Sequence, residues 1–233
     1  MKKILSLLVL TAFTAASVRA ADVSGAITFK GTAPAEGELA SYISASAECA
    51  ALYDGTYPTQ HFYRVGAKGE LADVMVVIKN VPNAKSAGAA AAPVVIDQKK
   101  CLYSPTILAV QTGQKVIVKN SDPCVHNVHT DPKENEMQNV PQMPGGADLE
   151  FTFAKPEPFL KFKCDVHPWM FAYVSVFDHP YFAMSGADGK FTIKNVPAGK
   201  YTIEATHRKL GTKTAEVEVK DGGATQDFSF EPK

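Results

Sequence analysis

The sequence predicts an all-β protein, with one Greek-key sandwich or barrel and a second small β-sandwich. Short segments of alternating apolar and polar residues dominate, separated by Gly, Pro, Asn and Asp. Helical periodicity is scarce, and Asp188-Gly189 is a tight-turn signal between two strands. The predicted strands cover residues 23–30, 74–79, 106–110, 115–119, 149–153, 159–163, 172–177, 191–194, 201–206, 215–220 and 226–230.

Composition excludes several classes of function. The chain has 233 residues, with 24 basic and 24 acidic side chains, so its formal net charge is zero. A surface for nucleic acid or anionic membrane would need clustered excess Lys and Arg. Hydrophobic content of 45% and charged content of 21% are ordinary for a globular protein.

The first twenty residues resemble a leader for export. Lys2 and Lys3 form a basic head, residues 4–16 are uncharged, and Val18 and Ala20 place small residues before a cut. We predict a secretory signal peptide over residues 1–20 and a periplasmic mature protein, with an uncleaved anchor as the alternative. No other apolar run is long enough for stable membrane insertion.

The mature chain divides into four predicted parts. They are an N-terminal β segment at 21–83, an Ala- and Gly-rich linker at 84–97, a central β domain at 98–178 and a second sandwich at 179–233. One short helix is predicted near residues 46–52, with Ser46 as its cap and Cys49 inside it.

A metal-ligand pattern lies in two segments that each follow an apolar strand. Cys164, His167 and Met170 supply a thiolate, an imidazole and a thioether at intervals of three residues. The upstream stretch 120–129 offers a second imidazole from a neighbouring loop. Two imidazoles, one thiolate and one weak axial thioether are the donor set of blue-copper electron-transfer sites.

These residues resemble the cupredoxins, and most closely the amicyanin and plastocyanin group. That group has the same Cys-x-x-His-Pro-aromatic-Met loop, and its Pro-His-Asn-Val-His stretch is matched at residues 126–129. The chain departs from the pattern at Cys124 and Val125, where the group has Met and Pro. The resemblance implies one type 1 copper, with His126, Cys164 and His167 in the plane and Met170 as the axial ligand. It also implies that His129 is not a ligand.

The same resemblance assigns supporting roles around the ligands. Asn127 would tie the two ligand segments together and help to position the thiolate. Pro168 and Trp169 would flank His167, whose exposed ring edge would be the entry point for electrons.

The C-terminal part is similar to a different family. Asp-Gly-x-Phe at 188–191 and Pro-x-Gly-x-Tyr at 197–201 resemble the turns of carboxypeptidase regulatory-like, prealbumin-type sandwiches. We therefore expect 21–83 and 179–233 to form one sandwich with the copper domain inserted between them. The alternative gives the N-terminal strands to the copper domain.

Four cysteines in an exported chain can oxidise. Cys49 and Cys101 are the favoured disulfide pair, and Cys101 with Cys124 is the second possibility. His61, His179 and His207 are isolated in sequence, so we expect them not to be ligands.

The leading functional hypothesis is a one-electron carrier that serves a periplasmic dehydrogenase or a c-type cytochrome. It is not expected to be an enzyme, because four protein ligands leave no open position for substrate. A copper(I) storage or delivery protein is one alternative, motivated by Met137, Met143, His129 and Cys124. A non-metal adhesion or binding sandwich is the other, and it predicts that all four cysteines are oxidised.

Overall fold

A computed structural model describes residues 19–232 of the chain. The predicted fold class is confirmed, because nearly all regular structure is β. The helices are short: α1 covers Ala40–Ser44, α2 covers Ala47–Ala50, and one 3₁₀ turn covers Gly88–Ala90. The predicted signal peptide falls almost entirely outside the described residues. Within 19–232, no helix has the length and apolar character needed to cross a membrane.

The central part of the chain forms one sandwich of two sheets, here called the central sandwich. One sheet has the strand order β5-β11-β10-β7-β8, and the other has the order β4-β3-β6-β9. The strands are β3 (Val94–Lys99), β4 (Leu102–Ser104), β5 (Ile107–Gln111), β6 (Val116–Asn120), β7 (His126–Asp131), β8 (Asn139–Gln142), β9 (Leu149–Phe151), β10 (Glu157–Lys163) and β11 (Phe171–Phe177).

The two ends of the chain meet in a second sandwich, here called the terminal sandwich. Its first sheet places β1 between β13 and the pair β16 and β17, and its second has the order β12-β2-β14-β15. The strands are β1 (Ala21–Phe29), β2 (Met75–Ile78), β12 (Phe182–Met184), β13 (Lys190–Val196), β14 (Gly199–His207), β15 (Gly211–Val219), β16 (Ala224–Thr225) and β17 (Phe228–Phe230).

Each sandwich has its own buried core. Ile27, Val76 and Ile203 belong to the core of the terminal sandwich, so strands from both chain ends share one apolar interior. Phe151 and Phe162 belong to the separate core of the central sandwich. Burial of this apolar area is the main force holding the two sheets of each sandwich together.

The structure differs from the predicted domain limits in two places. The predicted linker at 84–97 ends early, because β3 begins at Val94 and pairs in parallel with β6. The N-terminal segment also divides between the sandwiches: β1 and β2 enter the terminal one, whereas Leu39, Ile43 and Cys49 lie in the central core. We expected residues 21–83 to join either the C-terminal strands or the central domain. The structure divides them between the two, so neither expectation describes the whole segment.

The predicted helix at 46–52 is present as α2, and the Ser46 side chain accepts a hydrogen bond from the Cys49 amide at 3.4 Å. Several strands have weak sequence signals and were not predicted. β7 contains two histidines and an asparagine, and β8 contains Pro141, so neither shows the apolar alternation expected of a strand.

The central sheet brings the two ligand segments to the same end of the sandwich. β10 and β11 form an antiparallel hairpin in which Lys163 pairs with Phe171, so residues 164–170 are its connecting loop. β7 lies antiparallel to β10, with His129 opposite Lys163. The start of β7 therefore extends beside the 164–170 loop.

Candidate metal centre

Three buried donor atoms form a narrow triangle at this end of the central sandwich. Nδ1 of His126 lies 2.9 Å from Nδ1 of His167. Sγ of Cys164 lies 3.9 Å from each of these two nitrogens. None of the three residues is more than 4% exposed. The structure thus brings together three residues that the sequence places in two separate segments.

The triangle has the size that a small transition-metal ion requires. A point in its plane about 2.0 Å from each nitrogen lies about 2.2 Å from the sulfur, and zinc, for comparison, binds nitrogen at about 2.0 Å and thiolate sulfur at about 2.3 Å. Soft sulfur with two imidazoles favours copper over magnesium or calcium. Without a cation, the 2.9 Å contact is a hydrogen bond in which one imidazole donates to the other.

Backbone hydrogen bonds shape the loop that carries most of the donors. The N–H of Cys164 donates to the carbonyl of Met170 at 3.3 Å, and the N–H of Met170 donates to the carbonyl of His167 at 2.9 Å. Met170 is fully buried in the same apolar core as Cys164. His126 is the first residue of β7, although its sequence context predicted a loop.

Asn127 connects the two ligand segments, as the resemblance implies. Its Oδ1 accepts the backbone N–H of Asp165 at 2.7 Å and that of Val166 at 3.4 Å. Its Nδ2 donates to the Asp165 carboxylate at 2.9 Å. Oδ1 is also 3.4 Å from Sγ of Cys164. One side chain on β7 thereby fixes the start of the 164–170 loop.

Asp122 contacts the candidate centre, although the sequence alone did not single it out. Its Oδ2 lies 3.0 Å from Nε2 of His126, and it also accepts the backbone N–H of Cys101 at 2.7 Å. A carboxylate that accepts from one ring nitrogen leaves the lone pair of the other free for a metal. The sequence does show Asp122 in the turn at 120–123, four residues before His126. Such a spacing of a carboxylate and a histidine is common, so it does not by itself indicate a site.

Comparisons with known proteins give a partial match to one family. The model of the β-sandwich domain of ER membrane protein complex subunit 7 matches residues 165–231. That segment includes the loop after Cys164, β11 and all the strands from β12 to β17. No curated protein matches the chain.

Three solved structures illustrate the structural resemblance. A Cu-containing nitrite reductase from Thermus scotoductus SA-01 is 23% identical, with a TM-score of 0.34 over 37% of this chain and 22% of that one. A purple cupredoxin from Nitrosopumilus maritimus is 24% identical, with a TM-score of 0.31 over 36% and 98%. A Cu(I) form of an amicyanin variant is 22% identical, with a TM-score of 0.33 over 43% and 97%. Identities and TM-scores this low identify neither a family nor a bound metal.

The electrostatics of the centre favour a thiolate. Burial opposes ionisation of Cys164, but hydrogen bonds with His126 and His167 and with the backbone of Asn127 and His167 lower its pKa to about 6. Burial also opposes a charge on His126, yet its contacts with Asp122 and Cys164 raise its pKa to about 8. The low pKa of Cys164 matters because the thiolate, not the thiol, binds metals.

His129 is turned away from the triangle, in agreement with what the resemblance implies. Its Nδ1 lies 2.8 Å from the Asp165 carboxylate, and its side chain is 20% exposed. This hydrogen bond is the largest of several causes that lower the pKa of Asp165. His129 therefore belongs to the rim of the site.

The expectation of an exposed His167 ring edge is wrong, because His167 is only 4% exposed. The ring centroids of Trp169 and His167 lie 5.1 Å apart. The sulfurs of Cys49, Cys101 and Cys124 lie within 4.8 Å of a ring nitrogen of His167. Trp169 is itself held in place, since its Nε1 donates to the carbonyl of Cys101 at 3.0 Å. Pro168, between these two residues in the sequence, is exposed.

Cys49 and Cys101 form a disulfide, which is the favoured of the two predicted pairings. Cys124 and Cys164 are free thiols. Burial and the nearby Asp122 carboxylate raise the pKa of Cys124 to about 11, so this cysteine remains a neutral thiol at pH 7. Two free thiols contradict the fully oxidised state that a non-metal sandwich predicts.

Proposed function

We propose that the protein binds one type 1 copper ion and works as a one-electron carrier. The observation that carries the proposal is the buried triangle formed by Nδ1 of His126, Nδ1 of His167 and Sγ of Cys164. Met170, buried beside Cys164, is the proposed axial ligand. A His₂Cys plane with a weak thioether is the donor set of electron-transfer copper sites.

Bound copper would supply a one-electron redox couple, and the chain would keep its ligands in one geometry for both oxidation states. Asn127 fixes the loop that carries Cys164, and Asp122 fixes the ring of His126. Burial of the ligands excludes water, so little solvent has to reorganise when charge changes. One thiolate and two neutral imidazoles leave a small net charge with either copper ion, which limits the cost of burial.

A transient redox partner would meet the apolar rim next to the ligands. Val125 and Val166 adjoin His126 and His167 in sequence and are 36% and 54% exposed. His126 pairs with Gln142, and Met143, the residue after Gln142, is 59% exposed. Small apolar surfaces suit brief redox encounters. We propose a dehydrogenase or a c-type cytochrome as the partner, and no catalytic role for this chain.

An exported location agrees with the cysteine chemistry. A disulfide forms and persists in oxidising compartments. Together with the predicted leader, it supports export to the periplasm.

Copper(I) storage is the second candidate, and copper counting separates it from electron transfer. Met137 and Met143 are 61% and 59% exposed, and His129 binds Asp165. Storage predicts more than one copper per chain, or binding that survives Met170→Ala without change. Electron transfer predicts one copper per chain and a reversible one-electron couple.

Absorbance and electron paramagnetic resonance of the copper-loaded mature chain test the proposal. The wild type is expected to be blue, and Cys164→Ser is expected to abolish the colour. Cys124→Ser is the matched control, because Cys124 is also buried but does not belong to the triangle. A colourless wild type, or equal loss of colour in both variants, would contradict the proposal.

A further inference from the structure

Next to the proposed copper centre lies a second group of buried sulfur atoms, here called the three-sulfur cluster. It consists of Cys49, Cys101 and Cys124, which come from α2, the turn after β3 and the turn before β7. Each is at most 2% exposed. Their Sγ atoms and a ring nitrogen of His167 all lie within 4.8 Å of one another.

The spacing of the cluster fits a tetrahedral metal site. Sγ of Cys101 lies 3.8 Å from Sγ of Cys124. Two thiolates bound at about 2.3 Å to one tetrahedral zinc ion are separated by about 3.8 Å. Three cysteines and one histidine are a standard donor set for structural zinc. In the oxidised chain the Cys49–Cys101 disulfide occupies two of these sulfurs.

Other contacts hold the three sulfurs close together independently of the disulfide. The N–H of Cys101 donates to Asp122, and its carbonyl accepts from Trp169. The carbonyl of Cys124 accepts from Nδ2 of Asn120 at 3.0 Å. Cys49 lies in the central core on a helix capped by Ser46. Opening the disulfide therefore leaves the three thiols near one another.

We infer that reduction of the Cys49–Cys101 disulfide creates a buried site for a thiophilic divalent cation, formed by Cys49, Cys101, Cys124 and His167. A dithiol reductant supplies two electrons and two protons, which convert the disulfide to two thiols. The three thiols then release their protons as their sulfurs bind the cation.

Charge decides which cation the site takes. Three thiolates with a divalent ion carry a net charge of −1, whereas a monovalent ion would leave −2 in a buried space. Asp122 lies nearby and increases the cost of further negative charge. Zn(II) therefore fits this site better than Cu(I).

His167 belongs to both donor groups, so the two sites share one imidazole ring. In the oxidised chain the Cys49–Cys101 bond occupies two sulfurs of the cluster, whereas the His126, Cys164 and His167 triangle is available. In the reduced chain the sulfur-rich site competes for the same imidazole. The redox state of one disulfide would thus determine whether this end of the sandwich offers a sulfur-rich site beside the triangle.

Zinc binding by Cys164→Ala tests the inference without the thiolate of the copper centre. We expect the full mature chain of this variant to bind one Zn(II) after reduction by a dithiol. Binding should be at least tenfold weaker before reduction. Adding Cys124→Ala to the reduced variant should also weaken it at least tenfold. Equal zinc affinity with and without Cys124, or no gain on reduction, would overturn the inference.

If reduction destabilises the folded chain, thermal unfolding provides a second test of the inference. Zinc should raise the unfolding temperature of the reduced Cys164→Ala chain, because a ligand that binds the folded state stabilises it. It should not do so when Cys124→Ala is added. Cobalt(II) in place of zinc should give thiolate charge-transfer absorption only with Cys124 present. A reduced chain that zinc neither folds nor stabilises would also count against the inference. None of these results depends on whether copper binds at Cys164.

Discussion

Oδ2 of Asp122 lies 3.0 Å from Nε2 of His126, and the same carboxylate accepts the backbone N–H of Cys101. The side chains of Asp122 and His126 are both buried, with exposures of 3% and 0%, respectively. The contact fixes the orientation of the imidazole, so that Nδ1 faces His167 and Cys164. A carboxylate outside the triangle thereby determines which nitrogen is offered to a metal.

Asp122→Asn should weaken copper binding without removing any ligand. Loss of a hydrogen-bonded carboxylate behind a metal-binding histidine typically costs about 10- to 100-fold in metal affinity. Competitive copper titration of the variant measures the effect. Asp165→Asn is the matched control, because Asp165 binds His129, which is outside the triangle. Equal affinity of the two variants would show that the Asp122 contact does not orient the ligand.

Asn127→Ala should destabilise the central sandwich even without metal. The substitution removes the acceptor of the Asp165 and Val166 amides, and we expect a loss of about 1–2 kcal/mol in the free energy of unfolding. Fluorescence during urea unfolding is a suitable local probe, because Trp169 is the single tryptophan of the chain. Asn139→Ala, at an exposed position, should have a smaller effect. The same loss in both variants would contradict a special role for Asn127.

Acid should weaken the terminal sandwich through His207. Burial lowers the pKa of this residue from 6.5 to about 4, so the unfolded chain binds its proton more readily than the folded chain. The contribution of His207 is complete above pH 6.5 and is lost as the pH falls towards about 4. The difference between these two pKa values corresponds to about 3 kcal/mol in the free energy of unfolding.

Urea unfolding at several pH values, followed by circular dichroism, measures this dependence. His207→Gln keeps an acceptor for the backbone amides of Lys209 and Leu210, which donate to Nδ1 in the wild type. This variant should lose part of the acid sensitivity between pH 6.5 and about 4. His61→Gln, at an exposed histidine, should retain it. An identical pH profile in His207→Gln and wild type would refute the assignment.

Removal of the disulfide should destabilise the oxidised protein strongly. Cys49 and Cys101 are separated by 52 residues, and the chain-entropy account gives about 4 kcal/mol for a loop of this length. The double variant Cys49→Ala, Cys101→Ala should therefore unfold at lower denaturant concentration than wild type. Cys124→Ala leaves the bond intact and serves as the control. A double variant as stable as this control would contradict the prediction.

The sequence predicted the strands that have a clear alternating pattern, and it predicted the cysteine pairing. It did not predict β7, because His126, Asn127 and His129 give no apolar alternation. That strand is stabilised by pairing with β8 and β10, which are contacts between distant parts of the chain. Asp122 was missed for a similar reason, since its partners Cys101 and His126 converge only in the folded protein.

By itself, the sequence determined the all-β class and the donor chemistry, because residue types and strand periodicity are local properties. The tertiary structure decided the packing of residues 39–49 against the central core, the burial of His167 beneath Trp169 and the disulfide, and the position of Cys124 beside Cys101. Those features depend on segments that are distant in the chain but share one buried core. Apolar burial has no preference for sequence neighbours, so local pattern alone does not specify them.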